Sequence, residues 1–117
     1  MIQLPENVSI YLALAPVNMR KSFDGLSVLA QEVIKENPLQ GHLFVFRNKQ
    51  ADKIKLLWWD RNGFAIFYKR LEKGRFKFPK CHGNRMVINQ EELKLLLDGI
   101  DFTRLKRLPA LSFEAVI

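Results

Sequence analysis

Apolar positions along this chain of 117 residues change their period several times, and each change marks an element. Val8 to Leu14 is rich in β-forming residues and is closed by Pro16, which predicts a first strand. Phe23, Leu26, Ala30 and Val33 then recur at three- and four-residue spacing, the mark of an amphipathic helix. Ser22 suits its N-cap, Asp24 its first turn and Asn37-Pro38 its stop. Leu43 to Arg47 reads as a short, largely buried strand, and the polar stretch Asn48 to Asp52 turns the chain.

Lys53 to Leu71 carries the strongest structural signal. Two β-rich runs flank Asp60-Arg61-Asn62-Gly63, where Asn-Gly supplies the positive φ angles of a tight hairpin. Side chains alternate faces along a strand, so Ile54, Leu56 and Trp58 share one face and Lys53, Lys55, Leu57 and Trp59 the other. With Gly63 in a bulge after a turn at Arg61-Asn62, Trp58 would meet Ile66 and Lys55 would meet Lys69. One face would then be clean core, and the other would mix lysines with Trp59 and Phe67. A plain two-residue Asn-Gly loop would shift the register by one and scramble those faces.

Glu72-Lys73-Gly74 makes another turn, leading to a short strand at Arg75 to Phe78 that Pro79 ends. Met86-Val87-Ile88 is a candidate for one more strand. A second helix begins with Asn89 as N-cap and Glu92 three residues on, an arrangement like a capping box, and ends at Gly99. The expected architecture is one α+β domain, an antiparallel meander of about four to six strands covered by one or two helices. The whole chain, 1–117, is expected to be that domain, with its core at about 8–100 and a flexible tail at 101–117.

Charge changes the picture from fold to partner. The net charge is +7, yet Arg47 to Arg85 alone holds twelve Lys/Arg against Asp52, Asp60 and Glu72, an excess of nine, which leaves −2 for the rest. A concentrated positive field attracts polyanions, although a solvated lysine-rich surface has the same composition. No apolar run approaches the roughly 18–20 residues that span a bilayer. Cys81 is the one cysteine, which precludes an internal disulfide and suits a reducing, cytoplasmic location.

Candidate chemistry is sparse. One cysteine and two histidines, His42 and His82, fall short of a closed zinc site, so neither metal nor cofactor is expected. The acids of the basic region fall at turns, where they do not converge as nuclease carboxylates do. The chain is therefore expected not to be an enzyme. Arg20 and Lys21 lie at the positive end of the first helix, where cations are normally disfavoured, a position suited to a phosphate. Lys69 to Lys80 interleaves cations with Phe76 and Phe78 in the manner of nucleic-acid grooves, although an edge strand guarded by cations would read the same way.

Several motifs match a known family in order along nearly the whole chain. Asn18-Met19-Arg20-Lys21-Ser22-Phe23-Asp24-Gly25-Leu26 and Gly41-His42-Leu43-Phe44-Val45-Phe46-Arg47 resemble the short accessory protein, TnpB or Orf2-like, of insertion-sequence family sixty-six elements. Lys55-Leu56-Leu57-Trp58-Trp59-Asp60, Lys69-Arg70-Leu71-Glu72-Lys73-Gly74-Arg75-Phe76 and Leu96-Leu97-Asp98-Gly99-Ile100-Asp101 extend the likeness. Two departures are Ser22, where glycine is frequent, and Phe78 before Pro79, where tryptophan is frequent. The resemblance implies a role in DNA transposition beside a separate transposase that supplies the chemistry, and it brings no catalytic residues to carry over.

Together these readings predict a non-catalytic accessory factor that binds DNA through a basic hairpin surface. Arg20, Lys21, Lys53, Lys55, Lys69, Arg70, Lys73, Arg75 and Lys77 are the expected phosphate contacts. The transposase and companion subunits of the same element are the expected protein partners. The competing reading is an adaptor that docks the transposase and leaves DNA to its partner.

Overall fold

Strands that are apolar at nearly every position need cover on both faces. The computed structural model, which describes residues 7–104, supplies it. Five strands form one sheet: β1 (Ile10–Ala13), β2 (Leu43–Arg47), β3 (Lys53–Asp60), β4 (Gly63–Arg70) and β5 (Arg85–Ile88), in the order β4-β3-β2-β1-β5. Helix α1 (Phe23–Leu29), prolonged by a π-helical turn at Ala30–Ile34, covers one face. Helix α2 (Gln90–Leu97) covers the other.

Strand alternation divides the core cleanly between the two faces. Tyr11, Ala13, Phe44, Phe46 and Leu57 pack with Leu26, Ala30 and Ile34 on the α1 side. Ile10, Leu12, Leu43, Val45, Ile54 and Leu56 pack with Leu93, Leu96 and Leu97 on the α2 side. Phe76 and Phe102 also join that second cluster, so the core runs past residue 100, where it was expected to end. Of the tail expected to be flexible, 105–117 lies outside the described residues.

The α+β class matches the expectation, and the pairing adds one departure. β1 and β2 are parallel, while β2–β3, β3–β4 and β1–β5 are antiparallel, so the sheet is mixed and not a pure meander. Parallel neighbours require a crossover long enough to return the chain to its starting end, and α1 provides it. α1 itself is phased differently from the sequence reading: Leu26, Ala30 and Ile34 are buried, whereas Phe23 is 46% exposed. The π-turn widens the helix where Val33 was expected to face the core, and Lys35 ends it in a left-handed conformation before Pro38 is reached. At α2 the capping box is complete, with Glu92 N–H donating to Asn89 Oδ1 (2.8 Å) and Asn89 N–H to Glu92 Oε1 (2.9 Å).

The β3–β4 hairpin corrects the expected register. Its loop is Arg61-Asn62 with no bulge, so Asp60 pairs with Gly63, Trp58 with Ala65 and Lys55 with Tyr68. The positive φ falls on Arg61 (57°), across which Asn62 N–H donates to the Asp60 carbonyl, so the turn closes before the freedom of Gly63 is needed. One step of register moves a side chain to the opposite face. Lys55 therefore shares a face with Leu57 and Tyr68 on the α1 side, and Lys69 with Ile54 and Phe67 on the α2 side. Arg75 to Phe78, expected as a strand, is irregular: Phe76 is buried in the α2-side core and Phe78 packs half-buried beside it.

Candidate nucleic-acid interface

The mixed topology gives the sheet two unlike ends. β1 and β2 finish at the same end, where β3 starts and β4 finishes, because Lys53 is in register with Arg70. Arg47, Lys53 and Arg70 thus come from three adjacent strands to one edge. The loops beyond them add Arg20 and Lys21 after β1, Lys49 after β2, and Lys73, Arg75, Lys77 and Lys80 after β4. All of these loop cations are exposed.

The loops are tied together by backbone hydrogen bonds. Val17 N–H donates to the Arg47 carbonyl at 2.8 Å, which draws the post-β1 loop against the end of β2. Leu71 N–H donates to Asp52 O (2.8 Å) and Phe76 N–H to Ala51 O (2.7 Å), which lays the post-β4 segment along the β2–β3 loop. That loop is shaped by Asn48, whose Oδ1 accepts from Lys53 N–H and whose amide donates to Asp52 Oδ1 at 2.6 Å. The Asn48 bond holds the Asp52 carboxyl below its ordinary range.

Two depressions flank the β2–β3 loop. One, of about 330 Å³, is lined by Arg47, Lys49, Arg75 and Lys80 together with Leu14 and Phe78. The other, of about 440 Å³, is lined by Asn18, Met19, Asn48, Lys49 and Lys53. Neither has a carboxylate in its lining. Arg47 is the structural member of the set. Its Nη2 donates to the Leu14 carbonyl (2.8 Å), its guanidinium lies 5.4 Å from the Phe78 ring centroid, and burial lowers its pKa.

The nine residues expected to touch phosphate divide into three groups. Arg20, Lys21, Lys73, Arg75 and Lys77 are exposed around this end, and Lys53 is half-buried at its edge. Arg70 is exposed but bound to Glu72 at 3.0 Å, which raises its pKa. Lys55 and Lys69 turn inward. Lys55 is 7% exposed, and its ammonium donates to the carbonyls of Met19 (2.7 Å) and Lys21 (2.8 Å), with burial lowering its pKa. Lys69 donates to the carbonyl of Leu97 (2.9 Å), closing the last turn of α2 with a cation at the negative end of its dipole. Both lysines hold backbone in place, and neither lies on the surface that its neighbours form.

Arg47, Lys49 and Lys80 line the depressions, although they were not among the nine expected contacts. Their signal was the strand–helix–strand order of β1, α1 and β2, since ligand crevices in such units lie beyond the carboxyl ends of the parallel strands. Arg85 pairs with Ala13 at the same end of the sheet, on the outer strand β5, and is already engaged. Its guanidinium binds Glu36 and the Ile34 carbonyl and stacks over Tyr11. Trp59 packs edge-on against Phe64, and Phe67 lies against the α2-side core. Among the described residues no three His, Cys, Asp or Glu side chains gather to hold a metal, and no helix is long and apolar enough to cross a membrane.

Comparison with known proteins places this chain among those of mobile genetic elements. The family described as IS66 Orf2-like protein matches residues 8–107, and the chain belongs to that family. Its association is accordingly with the transposition of insertion sequences, in an accessory role. Two relatives from Sinorhizobium fredii are similar over nearly their full length. Uncharacterized protein y4hO is 40% identical over 102 residues, covering 87% of this chain and 89% of the relative. Uncharacterized protein y4jC is 36% identical over 109 residues, covering 93% of each. No solved structure matches the chain.

Proposed function

We propose that this accessory protein contacts DNA directly, through the end of the sheet at which β1 and β2 terminate. The observation that carries the reading is the pair of depressions lined by cations and free of carboxylates on either side of the β2–β3 loop. Lys49, Lys53, Arg75, Lys77 and Lys80 supply the phosphate contacts, with Arg20, Lys21 and Lys73 extending the surface. Such contacts position a duplex without reading its bases, so little base preference is expected. The separate transposase would supply strand chemistry, and this chain would help to hold the transposase–DNA assembly together in the cytoplasm.

Exposed apolar side chains favour a second reading, the adaptor. Phe23, Val28 and Tyr68 are each about half exposed on the α1 side of the molecule, and none of them lines either depression. A salt titration of the isolated chain on duplex DNA separates the two readings. Five phosphate contacts give a slope of log affinity against log salt of about −4.5, a steep fall between roughly 50 and 200 mM. Lack of DNA retention by the isolated chain, with a stoichiometric complex formed on transposase, would establish the adaptor instead.

A further inference from the structure

The smaller depression is built for more than a phosphate. A duplex sliding over a basic surface needs cations alone, since its bases are stacked inside. The 330 Å³ cleft combines four cations with apolar walls from Leu14 and Phe78, at the small end of ligand-sized cavities, roughly 300–1,000 Å³. Phe78 is half-buried, with part of its surface against the α2-side core that Phe76 enters and part lining the cleft. The Arg47 guanidinium lies against the Phe78 ring, so the wall is both aromatic and cationic. Aromatic rings and guanidinium planes are the surfaces on which unstacked bases settle.

We propose that this cleft takes an unpaired nucleotide of a DNA strand, its base against the Phe78–Arg47 wall and its phosphate among Lys49, Arg75 and Lys80. The proposal rests on the DNA-contact reading and sharpens it. The protein then prefers junctions where a duplex frays or ends in a single strand over uninterrupted duplex. Salt sets the overall affinity, and the cleft sets the preference for the junction.

Cys81 provides a direct reporter, since it is exposed, is the chain's one cysteine and lines the same cleft. The experiment measures binding of the full chain by fluorescence anisotropy to a blunt duplex and to the same duplex with a short single-stranded overhang. A deoxynucleoside monophosphate serves as competitor, and the alkylation rate of Cys81 is followed in parallel. The overhang substrate is expected to bind about tenfold more tightly than the blunt one and to slow alkylation. Phe78→Leu, which keeps apolar volume and removes the ring, is expected to bring the overhang substrate down to the blunt level. Protection by the monophosphate alone, equal to that of the overhang, would make the ligand a free nucleotide and overturn the strand-end proposal. Equal, salt-dependent binding of both duplexes with no change at Cys81 would overturn the proposal and leave the DNA-contact reading standing. Failure to bind any DNA would remove both.

Discussion

The two ends of the sheet are made from the same strands and carry different electrostatics. At the end where β1 and β2 finish, cations converge from three strands and three loops. Two of the acids there are already engaged, Asp52 by the amide of Asn48 and Glu72 by Arg70. At the other end, the hairpin loop pairs Arg61 with Asp60, and α2 opens with Glu91 and Glu92. A count along the chain places Arg61 in the basic segment, but the fold removes it from the basic surface. Linear charge density therefore locates the segment that carries excess charge, and topology decides which of its members act together.

That comparison can be broken first at the basic end. Simultaneous reversal of Lys49, Arg75 and Lys80 to Glu is expected to lower duplex affinity about a hundredfold and to reduce the salt slope by about 3. Arg61→Glu, at the other end, is expected to leave both unchanged in the same titration. Equal losses from the two variants would mean that net charge, and not its placement, governs binding.

Lys55 sharpens the comparison next. Lys55→Met strands the carbonyls of Met19 and Lys21, so unfolding by urea is expected to become easier by about 1–3 kcal/mol. The salt slope of that variant should match the parent's, since the ammonium lies inside. A slope reduced by a full unit would put Lys55 back among the phosphate contacts.

Asn89→Ala, which removes the α2 cap far from the basic end, is expected to cost about 1 kcal/mol of stability, again with unchanged DNA affinity. The smallest effect concerns pH. The Asp52 carboxyl titrates below its ordinary 3.8, chiefly because the Asn48 amide binds its charged form. Its contribution is therefore complete above 3.8 and is lost as pH falls through the lower, folded-state value. Amide exchange in the β2–β3 loop should accelerate below about pH 4 relative to α2, and Asn48→Ala should abolish that acid dependence.

Much of the fold could be read from pattern, and the failures have identifiable causes. Asn89 with Glu92 announced the start of α2 because capping is local chemistry. Leu43 to Phe46 announced a buried strand because all four of its side chains are apolar. The hairpin register was missed because Asn62-Gly63 suggested a glycine-dependent turn, while the chain instead places Arg61 at positive φ. That single step separates Lys55 from Lys69 and sends each to a different layer. The parallel pairing of β1 and β2 was missed because pairing is not written in either strand alone. With it went the placement of Arg47 and Lys49, which lie where those two strands end.

The cleft beside the β2–β3 loop joins Leu14, Arg47, Arg75 and Cys81, residues spread over more than half of the polypeptide. During synthesis the first of its walls leaves the ribosome long before the last, and the order of emergence is N-terminal first. A nascent chain that has delivered β1, α1 and β2 has the parallel pair but only part of the pocket. Whatever function needs the whole cleft is consequently acquired late in folding, after the segment beyond β4 has docked. A partly made chain lacks Arg75 and Cys81 and cannot present the complete lining.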